Sequence, residues 1–415
     1  MSGSFKRSKK SNLKWLAVAV AALTALYFFN SRIHSAAYNQ LLDGDTDKAL
    51  HTLKFVAAWE PNFNLHRGYR GKGLLEKSFS ETGGLIRAGR LAWTVKTGKP
   101  VSGSAAVSDG SVFIGGNDGH LYKIDARAGK VLWKYEAGKD IETTPVFFKE
   151  LVFVNSHGGL HAVRIEDGKR VWFHPTSWND SFPAISGGNV VTGEQKGVIT
   201  ALDAVTGRVE WRFESGAEMQ SGFAVYKDLL FFGNSAGVMF ALRARDGKLI
   251  WTHRLGTDME GAPLVSGEAV FAGCKNGFFA ALSVTDGREI WLRKLDGPVE
   301  GRPAEYEGKV IVGIYERRGS LVALDARTGA LIWRTTGTGP IESSPMVSDG
   351  VIYVGSHYGW LLALNARTGR LMWRFLTGWD IDKSIPLAAE GKVVVGSMDG
   401  RIYALNTDVG KERKK

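Results

Sequence analysis

The side chains of this 415-residue chain whose types and spacing could do chemistry are carboxylates that recur at one place in a repeated unit. The position three residues before a strand-opening Pro, or its equivalent, holds Ser102, Glu142, Asp180, Gln220, Glu260, Glu300, Glu342 and Lys383, and Asp382 adjoins the lysine. If these positions line an axis, the acids form a carboxylate ring able to take a cation, a basic peptide or a small molecule. If they merely begin strands, they are solvated polar residues. Of nine histidines, His157 and His357 occupy equivalent turns and read as surface turn residues rather than a metal site. Cys274 is the single cysteine, which excludes an intramolecular disulfide and any multi-thiolate metal centre. No nucleophile elbow, phosphate-binding loop or zinc-ligand spacing is present. No catalytic residue, cofactor or metal is therefore expected.

What must position these residues is a repeat. The stretch Leu121 to Trp133, LYKIDARAGKVLW, returns in copies ending at Trp172, Trp211, Trp251, Trp291, Trp333 and Trp373, spaced 39, 39, 40, 40, 42 and 40 residues apart. A Gly stands four residues before every one of these tryptophans. Each unit reads as four short strands: a Pro-bearing run such as IETTPVFF, a β-rich run such as VFIGG, a third such as LLALN, and a fourth that begins at the Trp. Asp109-Gly110, Ala128-Gly129, Thr328-Gly329 and Asp349-Gly350 supply hairpin signals between them. Four antiparallel strands per unit of about 40 residues, repeated radially, describe an all-β propeller. The last unit, Ile381 to Asn406, lacks a Trp strand, while Ala88 to Trp93 has the same Gly-to-Trp spacing and stands 40 residues before Trp133. Joining the two gives eight blades, the final one closed by the N-terminal strand so that no edge stays open.

The A-x-D-x-x-T-G-x-x-x-W pattern, whole in Ala201 to Trp211 and Ala323 to Trp333, resembles the tryptophan-docking motif of propellers of the pyrroloquinoline-quinone (PQQ) type. The resemblance covers about residues 88 to 406. It implies that Trp93, Trp133, Trp172, Trp211, Trp251, Trp291, Trp333 and Trp373 are structural docking residues packed between neighbouring blades. Quinoprotein dehydrogenases of this fold add a vicinal disulfide, a calcium site and a catalytic Asp in long insertions, for which one cysteine and units of about 40 residues leave no room. The BamB-like branch, scaffolds of outer-membrane β-barrel assembly, is also exported, eight-bladed and free of cofactor, and the chain is similar to it in size and blade count. It differs at the anchor, which here is a membrane helix in place of a lipid.

The first fourteen residues carry Lys6, Arg7, Lys9, Lys10 and Lys14 without an acid, and Trp15 to Phe29 runs without a charge. This pattern predicts an export signal retained as a single-pass inner-membrane anchor, with a cytoplasmic N-terminus and a periplasmic propeller; cleavage after Ala37 is the alternative. Residues 33–58 read as two short helices, similar to half a tetratricopeptide unit, and Pro61 to Thr82 as linker. The expected organisation is thus basic tail and anchor 1–32, helical spacer and linker 33–87, propeller 88–406 and basic tail 407–415. The net charge of +11 arises mostly in the two tails, which argues against a nucleic-acid partner. In a four-stranded blade, the turn between strands two and three shares a face with the connection to the next blade. That loop face collects the acids together with Trp178, Tyr358, Trp360 and Trp379, aromatics the repeat does not require. The opposite face gathers Arg127, Lys130, Lys169, Arg170, Arg208, Arg245, Lys248, Arg288, Arg327, Arg367 and Arg370, a rim that could touch anionic lipid. The reading that results is a non-enzymatic, extracytoplasmic scaffold for protein–protein interaction in a cell-envelope complex. Trp178, Tyr358, Trp360, Trp379, Glu260, Glu300 and Glu342 are the expected contacts, and no small-molecule ligand is expected. A ligand-binding or sensing propeller is the alternative, and a PQQ-dependent dehydrogenase comes last.

Overall fold

Second strands such as Ser111–Gly115 and Val351–Gly355 are buried along their whole length, whereas outermost strands such as Val131–Glu136 are mostly exposed. A strand buried on both faces must lie between two other layers, and here those layers are the neighbouring blades. The computed structural model describes residues 90–177, 181–194 and 196–407. It arranges them in eight four-stranded antiparallel sheets. Blades 1 to 7 occupy residues 105–136, 146–175, 184–214, 224–254, 264–294, 304–336 and 346–376, each with its strands side by side in chain order. Blade 8 takes three strands from residues 387–406 and its fourth from Leu91–Lys96. That strand pairs antiparallel with Arg401–Asn406, setting Thr94 against Tyr403 and Lys96 against Arg401. The expected ring closure is therefore present, beginning at Leu91. The innermost strand of blade 1 neighbours that of blade 8, completing the circle.

The tryptophans join blade to blade. Trp211 donates its indole N–H to the Ala244 carbonyl of the next blade at 2.9 Å, and six others make the same bond at 3.0–3.3 Å. The acceptor lies in the turn between strands three and four. There Asp203 accepts the N–H groups of Val205 and Thr206 and the Thr206 hydroxyl. The turn then passes through a Gly with positive φ. A Cβ on Gly247, at φ +69°, would stand 2.6 Å from the Trp211 ring. The Asp, Thr, Gly and Trp of the motif are thus one device: the first three shape the turn on which the previous blade's Trp lies. Trp373 is the exception, since its buried Nε1 has no acceptor among the described residues, while the Arg90 guanidinium lies 4.8 Å from its ring. By sequence the corresponding Gly is Gly410, outside the described residues.

The anchor and helical spacer also lie outside the described residues. Among the described residues no helix is long and apolar enough to cross a membrane.

Candidate functional site

A second inter-blade device places the acids. In every blade but the second, where Asn155 takes the position, the second strand carries at or next to its end a Gly whose missing Cβ is occupied by an apolar side chain from the next blade. Ile141 Cγ2 would lie 2.1 Å from a Cβ on Gly115, and Val299, Ile341 and Ile381 fill the same place at Gly273, Gly313 and Gly355. These plugs are essentially fully buried. In several blades a buried hydroxyl shortly after the plug ties the equivalent Gly of its own blade: Ser343, two residues after Ile341, donates to the Gly355 carbonyl at 3.1 Å and accepts its N–H at 2.8 Å. The residue between plug and hydroxyl is left facing the axis. Glu142, Gln220, Glu260, Glu300, Glu342 and Lys383 accordingly line one axial cavity with Phe182 and Arg302. Six of the eight expected positions thus meet around one cavity, whereas Ser102 is buried and not among its lining residues and Asp180 lies outside the described residues. One assignment changes: the plug Ile381 is followed by Asp382, so Asp382 is the counterpart of Glu342, and Lys383 is an inserted residue before the buried Ser384.

The ring acids are not equivalent electrostatically. Glu260 is neutralised by Lys275 at 2.5 Å, which also reaches Asp258 at 3.2 Å. Glu142 accepts from Asn117 at 2.8 Å and faces His157 at 3.9 Å. Glu300 makes no ion pair among the described residues; burial, then the charges of Glu342 and Glu260, push its carboxyl up to about 7. Carboxylate oxygens of Glu260, Glu300 and Glu342 lie within 4.8 Å of one another. On the far side of Glu342 stands His357, with Nε2 2.7 Å from Glu342 and 3.4 Å from Asp382, and Nδ1 3.9 Å from Asp380. Its hydrogen bond to Glu342 raises the imidazole pKa against the opposing effect of burial. Burial also opposes ionisation of Glu342, yet the His357 bond holds that carboxyl below its ordinary value. Burial and the Glu342 charge push Asp382 up. His357, expected in a surface turn, is part of this cluster. Its equivalence with His157, each aimed at the ring acid of its own blade, was the available signal. What the sequence lacked was the contact with Asp382 and Asp380 of the next blade.

Of the aromatics, Tyr358 and Trp379 are 43% and 42% exposed on the loop face, flanking this cluster. Trp178 lies outside the described residues. Trp360 departs from the expectation of a free turn aromatic: it opens the strand Trp360–Asn365, packs on the core between blades 6 and 7, and carries the Arg374 guanidinium 4.3 Å above its ring. The basic rim is partly neutralised. Arg127 pairs with Glu390 at 3.0 Å, Arg245 with Asp228 at 3.2 Å, Arg367 with Glu307 at 2.6 Å and Arg208 with Glu210 at 2.9 Å. That weakens the case for a lipid-binding face.

Fold and docking devices define an eight-bladed propeller of PQQ-type repeats. The family described as "Outer membrane protein assembly factor BamB" matches residues 84–212, 195–301 and 275–415, and the chain belongs to it. The outer membrane protein assembly factor BamB of Nitrosomonas eutropha is 30% identical over 142 residues, covering 32% of this chain and 34% of that protein. The quinohemoprotein alcohol dehydrogenase ADH-IIG of Pseudomonas putida is 29% identical over 150 residues, 30% of this chain and 21% of the enzyme. The aligned stretches thus span about a third or less of these relatives, and assembly factors and dehydrogenases are similarly near. In fold, the crystal structure of BamB from Moraxella catarrhalis superposes with a TM-score of 0.66 at 20% identity, covering 76% of this chain and 99% of that one. The quinohemoprotein alcohol dehydrogenase from Comamonas testosteroni gives 0.62 at 16% identity, over 78% and 77%.

The quinone of such enzymes, if it were the flat tricarboxylate PQQ, does not fit the axial cavity of this chain. Among the described residues its carboxylates would face Glu142, Glu260, Glu300 and Glu342, against the cationic lining residues Arg302 and Lys383, and the one aromatic lining residue is Phe182. Cys274, buried and free, has no neighbouring cysteine to pair with.

Proposed function

We propose that this chain is a non-enzymatic scaffold that binds protein partners in a cell-envelope assembly through its loop face. The observation that carries this reading is the pair of exposed aromatics, Tyr358 and Trp379, beside carboxylates that outnumber their cations, on a propeller whose short blade connections leave that face open. Large exposed aromatics are the usual anchors of interfaces, and truncating one can cost about 2 kcal/mol or more of binding. The carboxylates would add orientation and on-rate for a basic partner. Kinship with the BamB family supports the reading, as does the poor match of the axial cavity to a tricarboxylate. In this proposal the charge-free run from Trp15 to Phe29 anchors the chain in the inner membrane with the propeller in the periplasm, because the basic residues before it would stay cytoplasmic.

The test is affinity purification from crosslinked membranes with wild type and a Tyr358→Ala/Trp379→Ala double variant. The double variant should lose co-purified partners while its melting temperature stays within about 3 °C, since surface changes seldom cost more than about 0.5 kcal/mol each. Unchanged co-purification would remove the loop face from the reading. Alcohol oxidation by the purified chain with added PQQ and calcium would refute the scaffold assignment itself. N-terminal sequencing of the mature protein decides the anchor, a start at Tyr38 meaning cleavage.

A further inference from the structure

We propose that Glu342, His357 and Asp382 form a binding site for one divalent transition-metal ion of the zinc class, on the loop face where blades 7 and 8 meet. This does not depend on the scaffold reading.

Donor geometry comes first. One nitrogen and two carboxylate oxygens of these residues lie within 4.8 Å of one another, with His357 Nε2 2.7 Å from Glu342 and 3.4 Å from Asp382. Ligands about 2.1 Å from a metal stand about 3.0–3.4 Å apart in octahedral or tetrahedral arrangements, so small outward movements of the carboxylates admit an ion. The donors are held by rigid parts. Glu342 and Asp382 each follow a buried plug, Ile341 and Ile381, locked into a glycine of the preceding blade, and His357 sits in a tight turn whose N–H bonds to the Pro340 carbonyl at 3.0 Å. The side chains are only 15–25% exposed, which leaves an open side towards solvent for water or a partner's ligand.

The surroundings of the His357 ring fit the same role. The other imidazole nitrogen, Nδ1, faces the Asp380 carboxylate at 3.9 Å. Nε2 shares its proton with the Glu342 carboxylate at 2.7 Å, so an ion would displace that proton, and Asp380, closing on Nδ1, would then give the outer carboxylate that commonly supports a metal-bound histidine. The Tyr315 ring meets the imidazole edge-on at 5.2 Å and limits its rotation. Imidazole is a poor partner for calcium or magnesium and a good one for zinc, copper, iron or nickel, which fixes the class of ion. The neighbouring trio of Glu260, Glu300 and Glu342 offers oxygen only, and Lys275 already neutralises Glu260.

The experiment uses the full chain, stripped with a chelator and titrated with zinc against a chromophoric competitor. Cobalt serves in parallel, because its visible absorption reports a nitrogen ligand. Wild type should bind one equivalent of zinc. His357→Ala and Asp382→Asn should each weaken binding at least about 100-fold, and Asp380→Asn about 10- to 100-fold as an outer-shell partner. Glu300→Gln should bind like wild type. Thermal melts of the metal-free variants establish that they fold, and should any one fail, the others decide the same question. Absence of a stoichiometric site in wild type, equal binding by His357→Ala, or loss of binding in Glu300→Gln with His357→Ala unaffected would each overturn the proposal. The last pattern would assign the ion to the all-carboxylate trio.

Discussion

His161 should make the fold acid-sensitive through one identifiable group. It lies in the third strand of blade 2 and is 2% exposed, with the Tyr135 hydroxyl 2.9 Å from Nδ1 and the Ser156 hydroxyl 2.9 Å from Nε2. Burial first, and the charge of Arg170 second, push its pKa down to about 4. An unfolded chain binds a proton at this residue near pH 6.5, so between the two values the unfolded state holds more protons. Stability from this group is therefore fully present above about pH 6.5 and is lost as the pH falls through 4. Between pH 7 and pH 4.5 the loss is about 2.5 kcal/mol. With about 2.1 cal/mol/K of unfolding entropy per residue over the roughly 320 described residues, that corresponds to about 3–4 °C in melting temperature. The assay is thermal and urea unfolding of wild type and His161→Asn at both pH values. The variant should start less stable at pH 7, by about 1–3 kcal/mol for lost packing and hydrogen bonds. Its further loss on going to pH 4.5 should be smaller than that of wild type by about 2.5 kcal/mol. An equal pH-dependent loss in the two proteins would refute the assignment and point to other buried groups.

Glu300 should act with the opposite sign. Its raised carboxyl favours the native state at low pH and weakens it as the pH climbs from about 4.5 through 7. With chelator present, Glu300→Gln should raise the melting temperature at pH 8 more than at pH 5, and a gain independent of pH would contradict the crowded-carboxylate account. Gly115→Ala should cost about 3 kcal/mol or more, because the new methyl would fall 2.1 Å from Ile141 Cγ2 and 2.7 Å from the Ile141 carbonyl oxygen; chemical denaturation measures it, and a loss under 1 kcal/mol would mean the blades can part there. Deleting residues 1–96 removes the outermost strand of blade 8 and exposes the edge of Arg401–Asn406. That protein should melt lower and self-associate in size-exclusion chromatography, and a monomer of unchanged melting temperature would disprove closure by the N-terminal strand.

The sequence by itself determined the architecture, since the blade is a local object. Its four strands, its turn glycines and its Trp all fall within about 40 residues, so period, blade count and the closing role of the strand around Trp93 were legible from spacing alone. The carboxylate ring was legible for the same reason, as one register position repeated around the circle. Chemistry between blades was not legible. Lys383 was counted where Asp382 belongs, because nothing local marks Ile381 as the plug that fills the missing side chain of Gly355. Trp360 passed for a free aromatic because its core contacts and the Arg374 cation come from across the sheet and the blade interface. His357 passed for a turn residue because two of its acidic partners, Asp380 and Asp382, lie more than 20 positions on, in the next blade. Periodicity specifies what each unit repeats. Only the packing of one unit on the next decides which side chains meet, and the candidate metal-binding cluster exists at that junction.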